Sequence, residues 1–255
     1  MILTDTHAHL YADDFDEDRD LVLKRAIDAG IERFFIPAID RHYYPAMQAL
    51  KNLFPDKIFL MAGLHPTHVK DDYEEELQVV QEQLNLHTYC AIGEIGLDLY
   101  WDKSHFVQQR LAFITQLRWA KERKLPVVIH CRDAFDEIFE VLEEVADPQL
   151  WGIFHCFTGT YEQAQQAIGF NMKLGIGGVV TFKNGKIDQF LDRIPLEHIV
   201  LETDAPYMSP VPYRGKRNES LYLLQVLDKL SEIYKLPKQE IARISTENSK
   251  IVFGI

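Results

Sequence analysis

The sequence reads as an α/β protein, a single-domain (β/α)8 TIM barrel. Three observations lead there. The length of 255 residues suits one barrel of about 250 residues. Short apolar runs alternate with longer amphipathic segments along the whole chain, the pattern of a parallel sheet joined by right-handed helical crossovers. No low-complexity stretch or shift in composition marks a domain boundary.

Taken in order, the expected strands are Met1 to Leu10, Arg33 to Ala38, Ile58 to Ala62, Tyr89 to Gly93, Pro126 to His130, Gly152 to Phe157, Met172 to Gly175 and His198 to Thr203, which makes eight. Between them the spacing predicts helices at Asp16 to Ala29, Glu74 to Leu86, Ser104 to Lys124 and Ala134 to Val145, among others. In the first, Val22, Ala26 and Ala29 share a face, and Gly30 can supply a left-handed cap. A doubly wound open sheet is the competing fold. It would call for a GxGxxG turn after the first strand, and there is none. Gly175-Ile176-Gly177-Gly178 comes late and reads as a tight turn or a close backbone approach.

The residues that close these runs carry the chemistry. The first run contains His7-Ala8-His9, the fourth leads to Glu94, the fifth to His130, the sixth to His155 and the eighth to Asp204. Each alone has an ordinary explanation: a chance HxH, a turn carboxylate, a hydrogen-bonded core histidine, a cap. In a parallel barrel all of these strand ends open onto one face, where barrel enzymes place catalytic groups. Four histidines and two carboxylates exceed one tetrahedral site and suit two divalent cations with a position left for water. Glu94 is the anionic bridge, His7 and His9 serve one cation, and His130 with His155 the other. Asp204, at the mouth, binds metal and accepts the proton of water as general base. Glu202 shares its pleat face and is either a rival ligand or a supporting partner.

Substrate contacts are expected around this set. Tyr213-Arg214-Gly215-Lys216-Arg217-Asn218 is a cationic loop suited to bidentate phosphate recognition, which makes Arg214, Arg217 and Asn218 candidates. His65, before Pro66, lies on the same face and can touch a phosphate oxygen. Tyr100, beside Trp101, can stack a base. His42, His68, His87, His105 and His198 read as structural or surface residues.

Composition limits the partners. Lys plus Arg number 27 against 39 Asp plus Glu, a net charge of −12, which argues against a surface broadly coated with nucleic-acid-binding cations. At 47% hydrophobic and 26% charged, the chain is neither disordered nor collagen-like. No apolar run approaches the roughly 18 residues of a membrane span, and the N-terminus lacks a basic start, which points to a cytoplasmic address. Cys90, Cys131 and Cys156 form no CxxC pair and are expected as reduced thiols.

The sequence resembles TatD-type metal-dependent deoxyribonucleases of the amidohydrolase superfamily, from residue 2 to the last helix. The resemblance is carried by Asp5-Thr6-His7-Ala8-His9, Gly63-Leu64-His65-Pro66, Gly93-Glu94-Ile95-Gly96-Leu97-Asp98, His130-Cys131-Arg132, His155-Cys156-Phe157-Thr158-Gly159, Glu202-Thr203-Asp204-Ala205-Pro206 and Arg214-Gly215-Lys216-Arg217-Asn218-Glu219. It implies two divalent metal ions (Mg2+, Mn2+ or Zn2+) on His7, His9, Glu94, His130, His155 and Asp204, and hydrolysis of DNA phosphodiesters from a 3′ end. Ser220 stands where the family usually has proline after Asn-Glu, which loosens that turn. The alternatives are hydrolysis of another ester or amide with the same metals, such as removal of an aminoacyl group from tRNA, or a barrel that only binds. With a charge of −12, the expected partner is a short single-stranded DNA segment or 3′ end held locally by the metals and the basic loop. No membrane and no obligate protein partner is implied.

Overall fold

A computed structural model describes residues 1–145 and 147–255. Eight parallel strands lie in sequence order around a barrel: β1 (Leu3–Asp5), β2 (Ile31–Ile36), β3 (Ile58–Ala62), β4 (Ala91–Asp98), β5 (Val127–Arg132), β6 (Gly152–Phe154), β7 (Met172–Ile176) and β8 (Ile199–Leu201). The helices are α1 (Arg19–Asp28), α2 (Tyr44–Leu53), α3 (Tyr73–Leu86), α4 (Phe106–Arg123), α5 (Phe135–Val145), α6 (Tyr161–Gly169), α7 (Leu223–Tyr234) and α8 (Lys238–Phe253). The alternation lapses once. Between β7 and β8 the chain makes short 3-10 turns, and α7 and α8 both follow β8.

Side-chain alternation builds two apolar layers. Phe35, Met61, Ala91, Val128, Ile153 and Val200 fill the barrel interior, while their strand neighbours, such as Phe34, Ile92, Ile129 and Leu201, pack outward under the helices. The end of α8 plugs the lower opening: Phe253 stacks on Phe35 at 3.8 Å, and Trp151 donates its indole N–H to the carbonyl of Val252. The seam between β1 and β8 is stitched rather than laddered. Thr6 N donates to the carbonyl of Leu201, and Asp204 N to the carbonyl of His7. The buried Asp5 carboxylate accepts from the backbone N–H and hydroxyl of Thr203 and from the hydroxyl of Ser220. Burial pushes the Asp5 carboxyl up to about 7, against these hydrogen bonds, which pull it down. Ser220 therefore ties its turn to the seam, so the turn that lacks proline is anchored by a buried hydroxyl instead.

Several boundaries differ from the sequence expectation, for physical reasons. The first strand stops at Asp5, because beyond it the chain follows Asp204 and Ala205 with only an isolated bridge at Ala8. The fourth runs on through Glu94 to Asp98, since its register against β5 shifts between Gly93 and Ile95. That irregularity changes the phase of the strand: Ile92, Ile95 and Leu97 pack outward, which leaves Glu94 and Asp98 facing inward. Strict alternation would have turned Glu94 away from the axis. Gly30 closes α1 with φ +98° as expected, and Gly175 does allow a close approach, since a Cβ there would stand 2.2 Å from Oε2 of Glu202. Among the described residues no helix is long and apolar enough to cross a membrane.

Candidate metal centre

At the upper end of the barrel the strand ends converge on Glu94, a buried carboxylate whose two oxygens face two different sets of imidazoles. Oε2 lies 2.9 Å from Nε2 of His7 and 3.5 Å from Nε2 of His9. Oε1 lies 2.8 Å from Nδ1 of His130, 3.0 Å from Nε2 of His155 and 3.1 Å from Nε2 of His65. Oδ1 of Asp204 sits 3.6 Å from His9 and 3.8 Å from His7. Thus the six residues expected as metal ligands are brought together, from β4, β5 and the segments that follow β1, β6 and β8. Asp204 holds a left-handed conformation, φ +58°, that aims it inward past the end of its strand.

The donor atoms fit divalent cations. Nε2 of His7 and Nε2 of His9 stand only 3.3 Å apart, and Oε2 of Glu94, fully buried, accepts no hydrogen bond. Nitrogen facing nitrogen beside an unpartnered carboxylate oxygen is the arrangement a cation between them would satisfy. The far ring nitrogens support the same reading. Tyr11 donates its hydroxyl to the carbonyl of Pro37, so its oxygen accepts from Nδ1 of His9 and leaves Nε2 as the inward nitrogen, free for a cation in place of a proton. Asp98 faces Nε2 of His130 at 2.9 Å, and Glu202 faces Nδ1 of His155 at 3.2 Å, so each ring presents its other nitrogen to Glu94. Glu202, left open by the sequence as ligand or partner, stands behind His155 and also accepts from the backbone N–H of Cys156.

His65 is different. Its Nδ1 accepts the backbone N–H of Thr67 at 3.1 Å, so the neutral ring carries its proton on Nε2, the nitrogen that points into the cluster. Burial lowers this imidazole to about 4 despite the pull of Glu94, which keeps it a neutral N–H donor at ordinary pH. His9 goes the other way: burial would strip its proton, but Asp204 and Glu94 outweigh that and hold it up at about 9. Burial pushes the Glu94 carboxyl up, yet His155, His65 and His7 together hold it well below the usual carboxylate range. Among the cluster carboxylates Asp204 alone reaches solvent, its side chain 14% exposed against 2% for Glu94.

The expected substrate residues divide. His65 lies in the cluster itself. Tyr100 lines a groove of about 1200 Å³ that opens from His130, His155 and Asp204 and runs over β5, β6 and β7. Arg214 donates to the carbonyl of Ser209 and stacks on Phe182 at the groove wall. Arg217 is not brought to the site. Its guanidinium is held bidentately by Asp18, at 2.7 and 2.8 Å. Asn218 is buried and braces the turn by donating to the carbonyls of Thr203 and Tyr207, so a buried amide in a turn, not an exposed one in a loop, is what the sequence encodes. Sequence reasoning passed over Asp98 as the partner of His130, and Arg132. The signal for both was period two: Arg132 shares its pleat face with His130. Of the remaining histidines, His68 pairs with Asp40 at 2.6 Å behind His65, and His105 pairs with Asp71 at 3.3 Å. The three cysteines are free and partly buried.

Comparison with known proteins agrees with this geometry. The family described as TatD related DNase matches residues 4–254. An uncharacterized metal-dependent hydrolase of Bacillus subtilis, YabD, is 40% identical over the whole of both chains. The protein named 3′-5′ ssDNA/RNA exonuclease TatD of Erwinia billingiae is 31% identical over 98% of each chain. Among solved structures, the TatD homologue YjjV of Escherichia coli superposes with a TM-score of 0.93 at 30% identity, covering 99% of this chain and 98% of its own.

Proposed function

The chain belongs to the TatD-related family of metal-dependent hydrolases, and on that premise we propose that it hydrolyses DNA phosphodiesters with two divalent cations, working from the 3′ end of single strands. The observation that carries this reading is the division of Glu94 between two sets of imidazoles, with His7 and His9 on one oxygen and His130 and His155 on the other. The name of the Erwinia relative supports the substrate and the direction.

His7, His9, Glu94 and Asp204 would hold one cation, and Glu94, His130 and His155 the other. Bound there, the pair would supply an activated water and neutralise the charge developing on a phosphoryl group. The protein's own residues do the rest. Asp98, Glu202 and Tyr11 hold the His130, His155 and His9 rings in the tautomers that present lone pairs. Asp204, ionised and open to the groove, accepts the proton of the attacking water on the carboxylate oxygen that does not face His7 and His9. His65 donates from Nε2–H to an oxygen of the scissile phosphate, a neutral donor that does not compete for metal.

The test is an assay of the full chain, reconstituted with magnesium, manganese or zinc, on single-stranded and duplex DNA labelled at either end. An aminoacylated tRNA and a simple ester serve as controls. The expected result is nucleotides released first from the 3′ label of single strands, abolished by chelation. Cleavage of the tRNA ester or the simple ester without cleavage of DNA would replace this reading with another hydrolase of the same metals.

A further inference from the structure

Three arginines stack on aromatic rings that line the groove. The guanidinium of Arg132 lies 3.9 Å from the ring centre of Tyr100 and 5.1 Å from that of Trp101. Arg193 lies 3.6 Å over Tyr161, and Arg214 lies 3.7 Å over Phe182. Among the described residues none of the three forms an ion pair, whereas Arg19, Arg25, Arg41 and Arg217 are each bound to a carboxylate. Among the described residues Arg33, Arg118 and Arg123 also lack an ion pair, so three of the six unpaired arginines of a chain with a net charge of −12 stand at this one groove. Asp133, Asp136, Glu137, Glu162 and Asp204 line the same groove, with Lys186 beside them, and none of these carboxylates pairs with Arg132.

Arg132 has the most informative position. It follows His130 by two residues on β5, so both side chains rise on the same face of the strand, about 7 Å apart. Stacking fixes the plane of the guanidinium and leaves its N–H edge exposed, which is the geometry for a bidentate grip on phosphate. Beside it, Trp101 is 69% exposed and Tyr100 53%, aromatic rings that keep large open surfaces although Arg132 lies against both. Cations alternating with open aromatic faces are the means by which single-stranded nucleic acid is held without reading its sequence.

We propose that this groove, over β5, β6 and β7, is the track for a single-stranded polynucleotide, with Arg132 gripping the phosphate next to the scissile one, Trp101 stacking the adjoining base, and Arg193 and Arg214 meeting phosphates further along. The proposal rests on the nuclease reading above for the identity of the substrate. Of the loop at 213–218 it keeps Arg214 alone, because Arg217 and Asn218 are committed to the fold.

Binding of a fluorescent oligothymidylate to the metal-free full chain, measured by anisotropy over a range of salt, tests it without turnover. Arg132→Ala and Arg193→Ala should each weaken binding about tenfold and each lower the slope of log Kd against log salt by about 0.7. Arg132→Lys should restore only part of the affinity, because an ammonium does not stack as a plane. Arg243→Ala, remote on α8 and paired with Glu240, should change nothing. Wild-type affinity and slope in both alanine variants would overturn the track, even if the enzyme cuts DNA. Arginine-dependent binding by a metal-loaded protein that cuts no DNA would uphold the track and remove the nuclease reading.

Discussion

At the scale of single residues, the centre is organised by which nitrogen of each histidine faces inward. His9, His130 and His155 turn toward Glu94 the nitrogen a cation would take, because a hydroxyl or carboxylate accepts the far N–H. His65 turns an N–H because its far nitrogen is occupied by Thr67. The two kinds should separate on substitution. Glu94→Ala should lose both metal and turnover, since both sets of imidazoles depend on its carboxylate. His65→Ala should keep its metal and lose about 10²–10³-fold in kcat; loss of metal along with rate would make it a ligand. Asp98→Asn should cost about 10–100-fold in metal affinity or activity by loosening His130, read by competition with a chromogenic chelator. The six expected ligand residues were legible in the sequence because each closes an apolar run. His65 was visible as a residue of that face, but its tautomer depends on the backbone of Thr67, which no spacing announces. Arg217 and Asn218 looked like substrate contacts because a sequence does not show that Asp18 and two carbonyls already occupy them.

At the scale of elements, the fold depends on a few places where the backbone departs from regularity. The shift in β4 between Gly93 and Ile95 turns Glu94 inward, and period-two reasoning stops short of it, which is why the strand was expected to end at Gly93. The helix missing between β7 and β8 was legible only as the lack of a periodic segment there. Eight strands in order were readable because each buries a short apolar run on both faces. Gly152, the first residue of β6, shows how tightly neighbouring strands pack: a Cβ there would stand 1.9 Å from the carbonyl oxygen of Val127. Gly152→Ala should therefore cost about 3 kcal/mol, seen as a fall in Tm of roughly 6–12 °C. An unchanged Tm would mean that β5 and β6 can part without cost.

At the scale of the whole molecule, a chain of net charge −12 that takes a phosphodiester needs positive charge concentrated at one place, and cations held at the centre would supply it. Without metal, that charge is carried by protons. His9 is held up at about 9, above its usual 6.5, so it stabilises the metal-free fold below about pH 6.5 and loses that contribution as pH rises through about 9. A cation competes with the same proton and becomes the better occupant at the alkaline end. The metal-free Tm should fall between pH 6.5 and 9, and the increase in Tm on adding manganese should widen over the same range. A gap independent of pH would remove His9 from the ligand set. The central claim, that Glu94 joins two cations, is tested most directly by anomalous diffraction from manganese-loaded crystals. Two peaks flanking the Glu94 carboxylate, about 3.5–4 Å apart, with His7 and His9 on one and His130 and His155 on the other, are the predicted result. A single peak, or two that do not share Glu94, would contradict it.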